Sequence, residues 1–113
     1  MSSDCLFCRI VRGEIPATIV AQDDASVAFR DIAPKAPTHI LVVPREHIAT
    51  LDDARDAAVL GRVMLMAAEV ARREGIVAGG YRTVINTNAG AGQTVFHLHV
   101  HVLGGRALTW PPG

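Results

Sequence analysis

The run His97-Leu98-His99-Val100-His101-Val102-Leu103 alternates imidazole and aliphatic side chains at strict two-residue spacing. Only an extended chain brings residues i, i+2 and i+4 to one side. The pattern predicts a β-strand from Phe96 to Leu103, with Leu98, Val100 and Val102 entering a core and His97, His99 and His101 sharing the opposite face. Three of the five histidines of the chain fall in this pentapeptide. An imidazole, with an unperturbed pKa of about 6.5, serves near neutrality as base, acid, nucleophile or metal ligand, so this face reads as a working surface.

The remaining segments supply partners for such a strand. Thr38 to Val43 is short, apolar, β-branched and fenced by Pro37 and Pro44, which predicts a central strand. Thr18 to Ala21 and Val27 to Arg30, separated by Gln22-Asp23-Asp24, read as a hairpin with aspartates supplying turn chemistry. Tyr81 to Asn86 reads as one more strand. It is joined by Thr87 to Thr94 to the histidine strand, so the two should be antiparallel neighbours. Leu6 to Arg12 suits a short helix capped at Gly13. Apolar residues at Leu60, Val63, Met64, Ala67, Val70 and Ala71 mark one long helix, from an N-cap at Asp52 or Asp53 to Glu74, with Gly75 as its stop. The expected fold is α+β, one long helix across an antiparallel sheet, in a single domain spanning residues 1–113.

Eleven basic and eleven acidic residues cancel, and no basic cluster exceeds Arg72-Arg73, so no nucleic acid partner is expected. Apolar stretches stop well short of the roughly 18 residues that span a bilayer. Met1 to Asp4 lacks the basic start and apolar run of a signal peptide, which makes the expectation a soluble, cytoplasmic protein with no membrane partner. Two cysteines three positions apart, Cys5 and Cys8, argue for a metal site or a redox pair rather than a secreted disulfide framework. Two plain core thiols are the remaining reading.

Several ordered stretches carry a family likeness: Gly13-Glu14-Ile15-Pro16-Ala17, Ala28 to Pro34, Ala36 to Pro44, the histidine pentapeptide, Leu103-Gly104-Gly105-Arg106 and the ending Trp110-Pro111-Pro112-Gly113. Together they resemble the histidine triad (HIT) family, whose motif alternates three histidines with apolar residues, and within it the nucleotide-binding Hint branch. The resemblance implies a five-stranded antiparallel sheet with one long and one short N-terminal helix. It also implies a homodimer that continues the sheet edge to edge, and hydrolysis of purine nucleoside phosphoramidates. By that likeness His99 is the nucleophile, His101 the proton donor or phosphate contact, and His97 and His39 stand beside them. Asn86, Gln93 and Thr94 surround the phosphate, and Asp31 accepts from the ribose hydroxyls. Leu6, Phe7, Ile10, Ile15, Phe29, Ile32 and Leu41, with the adjoining Arg30, match the purine pocket, and Trp110 reaches a partner's site.

The residue chemistry agrees with that reading. A phosphorus centre with an amine leaving group needs a nucleophile, donors for its non-bridging oxygens and a proton for the departing nitrogen. A neutral imidazole can attack through one nitrogen while the other donates to a fixed acceptor. Gly90 and Gly92 permit a loop with inward backbone N–H groups, which holds anions without a lysine. Some bacterial members bind zinc through a cysteine pair, a histidine after a Pro-x-x-His step and the first triad histidine. Here those positions are Cys5, Cys8, His47 and His97, a closed set of structural type. Hydrolysis of dinucleoside polyphosphates with the same triad, and a non-catalytic nucleotide- and zinc-binding interaction protein, are the competing functions.

Overall fold

The computed structural model describes residues 5–113. Met1 to Asp4, on which the expectation of no signal peptide rests, lies outside the described residues. Five strands, β1 (Ile19–Gln22), β2 (Ser26–Arg30), β3 (Thr38–Pro44), β4 (Tyr81–Val84) and β5 (Val100–Gly104), form one antiparallel sheet in the order β1-β2-β3-β5-β4. The proline-fenced run is the central strand, buried along its whole length. Asp23 turns the β1–β2 hairpin by accepting from the Ala25 and Ser26 backbone N–H groups, each at 2.8 Å.

The register assigns side chains to faces. Ala28, Val42 and Val100 align across the sheet, as do Ile40 and Val102, and these residues pack under α2 (Ala57–Arg73) with Val63, Ala67, Val70 and Ala71. Each fully buried aliphatic side chain of this layer contributes about 1.5–3 kcal/mol relative to exposure. Phe29, Leu41 and His101 align on the opposite face, where Phe7 of α1 (Leu6–Val11) joins Val27, Phe29, Leu41 and Val43 in a smaller cluster. One face thus carries a complete helix layer. The other is covered only by a six-residue helix and leaves a hollow beside it.

The structure departs from the sequence expectations at three places. Leu51–Asp53 forms a separate 3-10 turn and Ala54 is extended, so α2 begins three residues later, with Asp56 accepting from the Ala58 N–H as N-cap. Its buried stripe runs through Val63, Met66, Ala67, Val70 and Ala71, leaving Met64 outside and bringing Met66 in. Most consequentially, β5 starts at Val100 rather than Phe96. Val42 opposite Val100 is the last rung with β3, and the Leu98 N–H turns instead to the Ile48 carbonyl at 2.6 Å. The three histidines therefore do not share one wet strand face: His97 and His99 precede the strand and are buried, as are Leu98, Val100 and Val102. The strand before the loop also ends early, at Val84 rather than Asn86. At α1, the expected stop holds: Gly13 at φ 77° lets its N–H reach the Ile10 carbonyl and the Glu14 N–H reach that of Arg9.

Candidate active site

The hollow beside α1 is a cavity of about 360 Å³. Phe7, Phe29 and Leu41 form its buried floor, and Leu6, Ile10, Ile15 and Ile32 surround it, so the wall is almost wholly apolar. The polar lining includes His99, His101, Thr94 and Asp31. Apolar walls with a few convergent polar groups are the usual make-up of a small-molecule site. Pro16, Ala17 and Val95 also line it, and none of the three is among the expected pocket residues.

Hydrogen-bond partners fix the proton on each imidazole. His99 Nδ1 lies 2.7 Å from the His97 carbonyl oxygen. A carbonyl only accepts, so Nδ1 carries the proton and Nε2 carries the lone pair. Phe7 packs on this ring in a T-shaped contact, with centroids 5.0 Å apart at 90°. On β3, the Lys35 backbone N–H donates to His39 Nδ1 at 3.0 Å, which puts the His39 proton on Nε2. That N–H donates to His101 Nδ1 at 2.9 Å and lies 3.4 Å from Asp31 Oδ2. His101 is then left with its own proton on Nε2, on a ring that lines the cavity. Burial, reinforced by the neighbouring His99 and His39 and opposed by Asp31, pushes His101 down to about 4. His101 is thus a neutral N–H donor at pH 7. His39 is lowered as well, by burial against the pull of Asp31.

A second histidine cluster lies across the triad segment. His97 is fully buried; its Nε2 donates to the Pro44 carbonyl at 2.8 Å, leaving the Nδ1 lone pair to face Cys5 Sγ at 3.4 Å and Cys8 Sγ at 3.5 Å. His47 Nδ1 stands 3.3 Å from both Cys8 Sγ and His97 Nδ1. Burial and the Cys5 thiol push the Cys8 thiol up, and burial brings His97 down to about 4. Four soft or borderline donors converging this closely could hold a metal ion. Asp31, His39 and His101 also place donor atoms within 4.8 Å of one another. There the Lys35 N–H keeps the proton on the shared His39 nitrogen, so that group is a hydrogen-bond relay.

Six expected site residues lie outside the cavity or have their partners elsewhere. Both His97 nitrogens are engaged away from the cavity, so His97 has none for a substrate. Gln93 is buried, accepting from the Asn88 N–H and donating to the Ala49 and Val95 carbonyls, which makes it a brace for the loop. Asn86 and Gly92 do not line the cavity, and the N–H groups of Ala91, Gly92 and Gln93 close turns within the loop instead of pointing at an anion. Arg30 borders the cavity, but its guanidinium makes a two-point bond to Glu74 at 2.9 Å. Trp110 is exposed beside Arg82, whose guanidinium carbon lies 5.9 Å from the ring centroid, outside the cavity of its own chain.

Comparison with known proteins agrees with this geometry. The HIT domain profile matches residues 12–108. An uncharacterized HIT-like protein of Synechococcus elongatus is 55% identical over 115 residues, covering 100% of both chains. Purine nucleoside phosphoramidase of Escherichia coli is 50% identical over 110 residues, covering 96% of this chain and 92% of the relative. The crystal structure of a HIT family hydrolase from Legionella pneumophila superposes with a TM-score of 0.95 at 52% identity, over 97% of this chain and 100% of that one. With a family match across most of its length and relatives at half identity or more, this chain belongs to the HIT domain family.

Proposed function

We propose that this protein is a purine nucleoside phosphoramidase that cleaves the P–N bond through a nucleotidyl-histidine formed on His99. The observation that carries the reading is the His99 tautomer: a lone pair on Nε2, set by the carbonyl on Nδ1, at the polar edge of an apolar slot sized for a base. Its likeness to the Escherichia coli phosphoramidase supports the substrate class. The purine lies between Phe7, Phe29 and Leu41, and Asp31 at the mouth accepts from the ribose hydroxyls. His99 Nε2 attacks phosphorus and the P–N bond breaks, the nitrogen leaving as an amine with one proton taken from solvent. The His101 N–H and the Thr94 hydroxyl donate to the phosphoryl oxygens as charge develops on them. Water then attacks phosphorus, the P–Nε2 bond breaks, and the nucleoside monophosphate departs as one proton returns to solvent.

The Cys5–Cys8–His47–His97 cluster is read as a structural zinc site. Tetrahedral bonds of about 2.3 Å to sulfur and about 2.0–2.1 Å to nitrogen set sulfur and nitrogen ligands roughly 3.6 Å apart and two nitrogens roughly 3.4 Å apart. The contacts here are 3.4, 3.5 and 3.3 Å for sulfur–nitrogen and 3.3 Å for nitrogen–nitrogen. With four protein ligands the set is closed, and these residues would hold α1, the segment after Pro44 and the triad together around a bound metal.

The same reading makes the chain a cytoplasmic homodimer built of one HIT domain, with the sheet continuing through the outer edge of β4. The Arg82 guanidinium on that strand donates to the Thr109 carbonyl at 2.9 Å, which lays the C-terminal segment and Trp110 along the edge a second copy would meet. No helix among the described residues is long and apolar enough to cross a membrane.

Acid-free quenching of the protein mixed with an adenosine phosphoramidate, followed by intact-mass and peptide mass spectrometry, tests the chemistry. An adenylyl adduct on His99 is expected; turnover with the adduct elsewhere, or with none under single-turnover conditions, overturns it.

A further inference from the structure

The motif Leu103-Gly104-Gly105-Arg106 closes β5 and leads out of it, yet none of the chemistry above uses it. Arg106 does not line the cavity. Its side chain reaches back over the Asp31–Pro37 loop, where Nη2 and Nε donate to the Lys35 carbonyl at 3.0 and 3.2 Å. The Lys35 residue so held is the one whose N–H donates to His39 Nδ1. His39 Nε2–H in turn donates to His101 Nδ1. A ring of connections results: along the backbone from His101 to Arg106, across to Lys35, through the His39 imidazole and back to His101.

The glycines make that approach geometrically feasible. Gly105 adopts φ +89°, and a Cβ there would lie 2.9 Å from Pro37 Cβ. A side chain at this position would force the Asp31–Pro37 loop and the turn after β5 apart. Gly104 is pressed equally hard on the other face, where a Cβ would come within 2.7 Å of the Ile76 side chain.

We propose that Arg106 is a positioning residue for His101. By clamping the Lys35 carbonyl it holds the Lys35 N–H on His39 Nδ1, and this fixes the tautomers of both His39 and His101. The consequence is that His101 presents an N–H, not a lone pair, to whatever the cavity binds. A mixture of tautomers would put a lone pair against a phosphoryl oxygen in a fraction of molecules, which repels rather than stabilises it. The catalytic part of this inference rests on the phosphoramidase reading; the tautomer part does not.

Long-range 1H–15N correlation spectra of the histidine side chains at pH 7.5, recorded on wild type, Arg106→Ala and Arg106→Lys, test it. In wild type, His39 and His101 are each expected as a single tautomer protonated at Nε2. Arg106→Ala should give intermediate nitrogen shifts for His39 and His101 while His99 keeps its Nδ1 proton, and should lower kcat about tenfold with KM within about twofold, a loss of roughly 1.4 kcal/mol in transition-state stabilisation. Arg106→Lys, which can still donate to the Lys35 carbonyl, should recover most of both. If Arg106→Ala disturbs folding, Arg106→Gln carries the same expectation with a smaller shift. Wild-type nitrogen shifts in Arg106→Ala overturn the proposal whatever the rate, and mixed tautomers with an unchanged kcat overturn its catalytic part. A wild-type protein that fails to turn over phosphoramidates but shows the expected spectra fails the functional reading alone.

Discussion

Four of the five histidines fall into two groups, His47 with His97 and His39 with His101, and the groups use the same side chain in opposite ways. In the outer group, the Pro44 carbonyl accepts from His97 Nε2–H, so the Nδ1 lone pair faces the Cys5 and Cys8 sulfurs. In the inner group, a backbone N–H occupies one nitrogen of His39, so a proton lies between His39 and His101 and the two rings are joined by it. A backbone acceptor thus leaves a lone pair free to face the cluster, and a backbone donor makes a relay. The main chain, through which atom it offers, decides whether an imidazole is electron donor or proton donor.

The largest effect expected from breaking this contrast is at His99, which stands between the groups. His99→Asn should lower kcat on the order of 10⁴-fold, as loss of an essential nucleophile does, with nucleotide affinity retained in equilibrium binding. Near-normal turnover would remove His99 from the nucleophile role. A smaller effect, of a different kind, belongs to the outer group. Cys8→Ser should abolish stoichiometric metal in elemental analysis and lower Tm by roughly 10 °C, equivalent to about 2 kcal/mol in a domain of this size. The rate per folded molecule should change far less. Full-length wild type purified without chelator or metal resin and found with two titratable thiols and no metal would make the outer group a core cluster instead.

The smallest effect is a response of the inner group to acid. His101 is lowered to about 4 by burial, whereas an unfolded histidine titrates near 6.5. Between those values the unfolded chain binds more protons, so this contribution to stability is complete above about pH 6.5 and is lost as pH falls toward about 4. His101→Gln should therefore lose a few degrees less in Tm than wild type between pH 7 and pH 5. An equal loss in both proteins would mean that His101 titrates normally and that its ring is not sealed by the relay.

Much of the fold was legible because local rules sufficed. Pro37 and Pro44 mark β3, the spacing of Val63, Ala67, Val70 and Ala71 marks α2, and Gly13 marks the end of α1. The start of α2 was not, since Asp52, Asp53 and Asp56 all qualify as caps and only the extended Ala54 excludes the first two. The alternation of the triad overstated β5 for a physical reason: period two reports which side a residue takes, not whether a partner strand reaches it. Residue types of the site could be read off the sequence, and the cysteine pair with His47 and His97 does converge. The roles of two polar residues could not. Gln93 and Arg30 are polar residues near the cavity whose partners, Ala49, Val95 and Glu74, are set by tertiary contacts distant in sequence.

The two faces of the sheet are unequal: seventeen-residue α2 roofs one, and six-residue α1 with an open slot stands on the other. In architectural terms the second layer is left unfinished, and a purine seated on Phe7, Phe29 and Leu41 would complete it. A molecule so constructed would use its product as part of its interior. Nucleoside monophosphate at a hundred times its dissociation constant would add about 2.7 kcal/mol to the stability of the folded chain. The fraction of this protein that stays folded under stress would then follow the nucleotide concentration around it, coupling its persistence to the compounds it releases.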